Sequence, residues 1–291
     1  MNTTVVICSA NRPHILAETV QSLISRQSRQ PREIVISVYD EEHVAEETKI
    51  IPSVRIVLNS RKGLTVQRNA ALSSVQTPYT LFLDDDVEIA SNYIESMESL
   101  LDSSRDVVAA TGFIVADGAQ GDTGLDREFA KGLTVSYRPS SENCDHQETY
   151  GCNIFARASV FSSIRFDENL PLYGWLEDYD FATNCLKHGK IILNAGTCVA
   201  HLATPTGRTS GLKFGYSQII NPLYLWRKND RPTLLRVIFH HWVLSTTRNL
   251  RRTLFSIPSD RDDRTGRFRG NVLAFGDLLK GRIDPTRILR F

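Results

Sequence analysis

Tyr79-Thr80-Leu81-Phe82-Leu83-Asp84-Asp85-Asp86-Val87 is the stretch that decides how this chain is read. The run after Pro78 is apolar and short, which fits a strand buried on both faces. It ends in three consecutive carboxylates, which repel one another unless something cationic holds them. Residues two apart in a strand share a face, so Asp84 and Asp86 can point the same way if the extended conformation persists. Paired carboxylates at a strand end suit a hard cation, Mg²⁺ or Mn²⁺, that keeps positions open for phosphate oxygens. The plainer reading is a solvated acidic turn, or caps for a helix that begins near Ser91.

The chain on either side supports an α/β domain. Thr4–Cys8, Ile34–Val38 and Val54–Leu58 read as further strands. Between the first two, Ile15, Leu16, Val20, Leu23 and Ile24 recur at helical spacing over His14–Gln27. A second helix runs from Val66 to about Val75, and others are expected over Asn92–Leu101 and from Glu177 to Gly189. Strands alternating with helices imply βαβ units and a largely parallel sheet. Ligands of open α/β sheets bind outside the carboxyl ends of the strands. Those ends carry Ser9-Ala10-Asn11-Arg12, Asp40, Arg61-Lys62-Gly63 and Asp84–Asp86. Such a set fits a nucleotide site, with Asp40 placed to accept from a base or ribose and Arg68 or Arg12 to face phosphate. There is no G-x-G-x-x-G and no P-loop signature.

A second cluster follows. Leu172-Tyr173-Gly174-Trp175-Leu176 leads into Glu177-Asp178-Tyr179-Asp180 at a predicted helix start. Acidic residues in a first turn are favoured by the helix dipole alone. Tyr173 and Trp175 add an apolar wall or sugar platform, and a carboxylate beside such a wall is pushed towards general-base behaviour. Ile191–Leu193 and Cys198–His201 read as a hairpin or two short strands, with His201 at the end as a structural donor or a ligand. Residues 117–146 are polar and weakly patterned, and read as a long loop or an insertion.

Composition bounds the rest. The 291 residues carry a net charge of +1, unevenly distributed: 17 Lys+Arg against 27 Asp+Glu in residues 1–207, and 17 against 6 in residues 208–291. A basic segment of this kind meets an anionic surface, whether membrane, partner or the protein's own acidic part. The five cysteines (Cys8, Cys144, Cys152, Cys185, Cys198) form no Cys-x-x-Cys pair, so neither a disulfide framework nor a zinc site is indicated. The N-terminus has no secretory pattern and no window has the apolar length of a spanning helix, so a cytoplasmic protein is expected, soluble or peripheral on the inner face of the membrane. Leu234, Ile238 and Trp242 make an apolar helical stripe flanked by Arg236, Arg248, Arg251 and Arg252. Residues 231–252 therefore suit a membrane surface, a homodimer contact or packing on the protein's own domain. Nucleic acid is not expected, because these arginines are not interleaved with an array of aromatics.

The order of these motifs resembles the family-2 glycosyltransferases. The matching pieces are Ser9–Arg12, Gly63…Arg68-Asn69, Leu83–Asp86, Gly151…Arg157, Phe166-Asp167-Glu168, Gly174…Asp180 and His201. They cover about residues 4–205. The resemblance implies the GT-A fold: a Rossmann-like, mostly parallel mixed sheet flanked by helices. It implies a catalytic domain over 1–205, with a nucleotide-sugar-binding part (about 1–116) and an acceptor-binding and catalytic-base part (117–205). Residues 206–291 follow as a basic helical extension.

The same resemblance assigns roles. Asp86 is the direct metal ligand, with His201 and Asp84 completing the shell around Mn²⁺ or Mg²⁺. Ser9, Ala10, Arg12, Asp40, Gly63, Arg68, Asp84 and Asp85 bind the nucleotide sugar, a UDP-sugar by analogy. Asp178 is the general base and Glu177 positions the acceptor; Tyr173 and Trp175, read from the residues alone as a wall or sugar platform beside them, are the expected acceptor-binding pair. The implied reaction is inverting transfer to a hydroxyl of a saccharide or a polyprenyl-diphosphate-linked saccharide, as in polysaccharide or glycoconjugate synthesis. One departure stands out: relatives commonly carry an acidic pair followed by Gly-Ser after the second strand, where this chain reads Tyr39-Asp40-Glu41-Glu42. The competing readings are a sugar-phosphate nucleotidylyltransferase, for which Ser9–Pro13 is a poor phosphate loop, and a non-catalytic nucleotide- or glycan-binding module.

Overall fold

A computed structural model describes residues 1–120, 124–139, 142–204, 209–255 and 263–291. The chain divides into two compact units. The first holds Met1–Lys62, Val66–Phe166 and Phe181–Gly207; the second holds Gly63–Thr65, Asp167–Asp180 and Arg208–Phe291. The boundary expected between residues 205 and 206 lies outside the described residues.

The first unit is built on one nine-stranded sheet. In chain order its strands are β1 (Thr3–Cys8), β2 (Glu33–Val38), β3 (Val54–Leu58), β4 (Tyr79–Asp84), β5 (Val87–Ile89), β6 (Val107–Asp117), β7 (Cys144–His146), β8 (Asn153–Arg157) and β9 (Lys190–His201). The helices α1 (Pro13–Arg26), α2 (Glu46–Lys49), α3 (Leu64–Leu72), α4 (Tyr93–Ser103), α5 (Arg127–Ser136) and α6 (Glu177–Cys185) follow the strands, with the first residues of α3 and α6 belonging to the second unit. Strand order is β3-β2-β1-β4-β8-β6-β9-β5, with β7 also on β9. The run β3-β2-β1-β4 is parallel, as expected of βαβ units. Strand β8 enters antiparallel beside β4 and β6, and β6 pairs with β9 in parallel.

Alternation along the strands sorts the core into two layers. Val5, Ile7, Ile34, Ile36, Leu81 and Leu83 pack on one face with Leu16, Val20 and Leu23 of α1 and with Tyr93, Ile94, Met97 and Leu101 of α4. Val6, Val35 and Phe82 point to the other face, against Phe161, Phe166 and Phe181. Each fully buried aliphatic or aromatic side chain of this kind contributes about 1.5–3 kcal/mol. Both faces are covered, so these strands read as continuous apolar runs.

Two expectations are corrected. Residues 190–201 form one twelve-residue strand, not a hairpin or two strands. Its partner register jumps from Gly112↔Asn194 to Phe113↔Cys198, leaving Ala195–Thr197 as a bulge. That bulge is tied to α4, since Asn194 Nδ2 donates to Ser96 Oγ (3.0 Å) and Thr197 Oγ1 to Asn92 Oδ1 (3.0 Å). Residues 117–146 are not one loop either, because they contain α5. Asp126 caps that helix by accepting from the Phe129 amide, and Arg127 anchors it to buried Glu88 (2.5 Å) and to Glu18 (2.9 Å). The helix was hidden in the sequence because it buries little apolar surface: Ala130 and Thr134 are its buried residues.

The second unit is helical: α7 (Gly211–Asn229), α8 (Leu234–Arg236), a π-helical stretch over Val237–Leu244, α9 (Ser245–Leu254) and α10 (Arg264–Leu279). The stripe Leu234-Ile238-Trp242 is divided by the packing. Trp242 turns inward onto Phe275 and donates its indole N–H to Ile219 O (3.0 Å), while Leu234, Leu235, Phe239, Val243 and Leu244 are exposed. No described helix is long and apolar enough to cross a membrane, and none of the five cysteines is in a disulfide.

Candidate metal and catalytic site

Strand β4 stops at Asp84, and Asp85 and Asp86 form a turn into β5. The extended conformation therefore does not persist through the triplet. The turn achieves a convergence that two-residue alternation alone would not. Asp84, Asp86 and His201 each offer one ligand atom, all within 4.8 Å of one another. His201 arrives because β5 pairs antiparallel with β9 and sets Val87 opposite it. Its Nε2 lies 3.5 Å from Asp86 and 3.9 Å from Asp84, and its Nδ1 lies 2.9 Å from Asp117 Oδ1.

Other groups answer the charge of the triplet. Arg12, at the start of α1, reaches Asp85 (3.1 Å) and Asp86 (3.0 Å) with one guanidinium nitrogen. Asp85 also accepts from Ser9 Oγ (2.5 Å), and its carbonyl accepts from Thr19 (2.6 Å). Asp86 Oδ2 accepts from the Thr204 amide (2.7 Å). Arg68 is fully buried, donates to Gly151 O (2.7 Å) and lies 3.6 Å from Asp84, with its guanidinium over the Phe82 and Phe166 rings.

The three carboxylates are not equivalent. Burial drives Asp85 up to about 7, assisted by Asp86 and Asp84 and opposed by Arg12 and Ser9. Burial acts on Asp86 in the same sense, but His201, Arg12 and the Thr204 amide outweigh it and hold its carboxyl below the usual range. Burial would lower the His201 imidazole, yet hydrogen bonds to Asp117 and Asp86 and the charges of Asp86 and Asp84 raise it to about 10 in the metal-free protein. His201, Arg12 and Arg68 thus face Asp84, Asp85, Asp86 and Asp117 in one cluster of opposite charges. Two carboxylates and an imidazole converging in this way are a donor set that suits Mn²⁺; Mg²⁺ prefers oxygen alone. The residues fit a divalent ion.

Not every predicted residue joins this cluster. Ser9 and Arg12 do, and Ala10 lies between them with no polar side-chain group. Asp40 stands at the end of β2 but caps the short 3₁₀ turn Glu41–His43, accepting from the Glu42 amide (3.0 Å). Gly63 belongs to the second unit and pairs there with Leu172, while Leu64 N–H donates to Leu172 O (2.8 Å).

The second unit carries the other predicted residues. Leu172 (φ 58°), Gly174 (φ 68°) and Leu176 (φ 71°) all take the left-handed conformation around Tyr173 and Trp175. Such backbone in two leucines costs on the order of 1–3 kcal/mol each and persists only where the surrounding structure holds it. The Tyr173 and Trp175 rings stack at 6.5 Å, and Phe214 of α7 lies against both. Phe214 was missed in the sequence because it is distant and carries no motif. Glu177 is buried at the start of α6 and Asp178 is half-buried, its carboxylate accepting from the Tyr179 amide (2.8 Å). Next on the helix, Asp180 is locked by Lys228 (2.8 Å) and Asn229 (2.8 Å), and Lys228 also holds Asp167 (2.7 Å).

Comparison with known proteins agrees with this picture. The family model described as glycosyl transferase family 2 matches residues 4–198. The chain is 31% identical over 137 residues to the teichoic acid poly(glycerol phosphate) polymerase of Staphylococcus epidermidis, a match covering 46% of this chain but only 18% of that protein. Among solved structures, GalNAc-T7 with UDP, GalNAc and Mn²⁺ superposes with a TM-score of 0.59 at 16% identity, over 96% of this chain and 56% of that one. The mannosyltransferase PcManGT of Pyrobaculum calidifontis, with GDP-Man and Mn²⁺, gives 0.57 at 14% identity, over 99% and 78%. S. aureus TarS 1-349 with UDP-GlcNAc gives 0.51 at 14% identity, over 97% and 93%. At these identities the structural likeness speaks for a shared GT-A fold alone. The family match extends over most of the chain and takes in the acidic turn, the buried arginine and the helix start at Glu177: this chain belongs to glycosyl transferase family 2.

Proposed function

We propose that the protein is a metal-dependent, inverting glycosyltransferase that moves a sugar from a nucleotide-diphosphate donor to a hydroxyl of a saccharide or lipid-linked saccharide. The observation that carries this reading is the convergence of Asp84, Asp86 and His201 at the end of β4 in a family-2 chain. The nucleotides and Mn²⁺ bound by its structural neighbours support a nucleotide-sugar donor, a UDP-sugar by our reading. Mn²⁺ held by Asp86, Asp84 and His201 would act as a Lewis acid towards charge developing on the departing diphosphate. Ser9, Ala10, Arg12, Asp40, Gly63, Arg68 and Asp85 are the proposed donor-binding set. Within it, Arg12 and Ser9 also fix the acidic turn by holding Asp85.

In the proposed reaction Asp178 accepts the proton of the acceptor hydroxyl, which attacks the anomeric carbon opposite the departing nucleoside diphosphate. One base suffices for inversion and no enzyme nucleophile is required. Glu177 and the Tyr173–Trp175 pair position the acceptor. Residues 1–205 are assigned to catalysis and 206–291 to a basic extension, whose exposed Leu235, Phe239 and Leu244 beside Arg248 and Arg251 suit the surface of an anionic membrane on its cytoplasmic side. Flotation with anionic liposomes at low salt tests that placement, and a protein that stays at the bottom of the gradient overturns it.

The decisive test of the reaction is Asp178→Asn. Release of nucleoside diphosphate that depends on added acceptor should fall by on the order of a hundredfold or more, with donor and Mn²⁺ binding retained. Turnover near the wild-type rate overturns the base assignment.

A further inference from the structure

Resting on the metal reading above, we propose that Asp117, clamped by Tyr150, is the positioning residue that aims His201 at the metal. Strand β6 ends at Asp117, which is the parallel partner of His201 at the end of β9. Three register shifts in this ladder, between Val107 and Ala109, Gly112 and Phe113, and Ile114 and Ala116, together bring these two residues side by side. Their side chains then meet, Asp117 Oδ1 lying 2.9 Å from His201 Nδ1.

The rest of the Asp117 carboxylate is already committed. Oδ1 also accepts from the Ala119 amide (2.9 Å), and Oδ2 accepts from the Tyr150 hydroxyl (2.6 Å). Asp117 is not grouped with Asp84, Asp86 and His201 as a ligand; its oxygens are engaged by Ala119, Tyr150 and His201. A carboxylate with two fixed donors can only accept from His201, so Nδ1 carries the proton. When a metal replaces the second proton, the lone pair falls on Nε2, which faces Asp84 and Asp86, the tautomer and orientation a metal ligand requires. The Tyr150 ring lies edge-on to the imidazole, with centroids 6.5 Å apart. Gly118 completes the device: a Cβ there would sit 2.2 Å from the Leu202 carbonyl oxygen, so only glycine lets the chain turn away directly after Asp117.

The test uses the full chain and Mn²⁺ alone, without nucleotide. Mn²⁺ affinity is read by EPR of the free ion, and coordination of imidazole by the ¹⁴N modulation of the bound ion. In wild-type protein Mn²⁺ should bind with nitrogen modulation present. In Asp117→Asn, which can turn its amide N–H₂ towards Nδ1, affinity should fall about 10–100-fold with the modulation weakened or lost. His201→Ala sets the limit of complete loss. Tyr150→Phe leaves Asp117 in place and should show a smaller loss in the same direction; it keeps the idea testable if Asp117→Asn does not fold. Wild-type binding with unchanged affinity and modulation in Asp117→Asn and Tyr150→Phe overturns the positioning role while leaving the metal reading intact. Absence of Mn²⁺ binding in the wild type overturns both.

Discussion

Arg12 shows how one residue balances an acidic turn. Its guanidinium meets Asp85 and Asp86, which are almost completely buried, and among the described residues neither acid has another full positive charge as close. Removing one partner from a buried charge pair costs about 3 kcal/mol, because it strands the other. Arg12→Ala should therefore lower stability by about that amount in chemical denaturation. A divalent ion supplies the missing positive charge, so Mn²⁺ should raise the melting temperature of Arg12→Ala by more than it raises the wild type. Equal shifts in the two proteins would mean that Arg12 and the ion do not share this turn. Asp86→Ala should abolish Mn²⁺ binding measured by EPR, since it removes the ligand lying closest to His201.

At the scale of elements, the helices α7 and α10 cross where glycines let their backbones meet. A Cβ on Gly215 would fall 2.0 Å from Arg267 O, and one on Gly270 would fall 2.1 Å from Leu212 O. Asn271 Nδ2 donates to Gly215 O (2.7 Å) across the same crossing, and Asn249 of α9 bonds to Asn271 (2.9 Å). Gly270→Ala should destabilise this unit by about 1–3 kcal/mol, because the backbones must separate. Gly276, on the same helix, has nothing within 4 Å of the place a methyl group would occupy, so Gly276→Ala should be neutral or gain up to about 1 kcal/mol from helix propensity. Urea denaturation of the two variants separates close packing from propensity.

At the scale of the whole molecule, charge is divided along the chain, and pH acts differently on its parts. His241 is buried in the helical unit, and burial, with His240 and Arg236 nearby, lowers it to about 4 from an ordinary 6.5. The folded state disfavours the imidazolium, so the unfolded chain takes up more protons between those values. The contribution of this group to stability is complete above about pH 6.5 and is lost as pH falls through 4, a change of about 3 kcal/mol. Unfolding measured at pH 7 and at pH 4.5 should differ by less in His241→Gln than in the wild type. Dependence on pH that is identical in the two proteins would exclude His241 as its source.

Much of this molecule was written in the chain itself. The apolar runs of β1, β2 and β4, the spacing of Leu16, Val20 and Leu23, and the acidic end at Asp84–Asp86 depend on local periodicity and local charge, which a sequence carries directly. Tertiary structure alone decided the rest. It set His201 beside Val87 and Asp117 through strand pairing, folded residues 190–201 into one bulged strand, and revealed α5 under a polar sequence held by Arg127 and Glu88. Arg12 as the counter-charge and Phe214 as the third aromatic were equally invisible, because their partners lie dozens of residues away. Periodicity tells which face of an element is buried, but only register and packing tell which distant polar atoms that burial forces to satisfy one another.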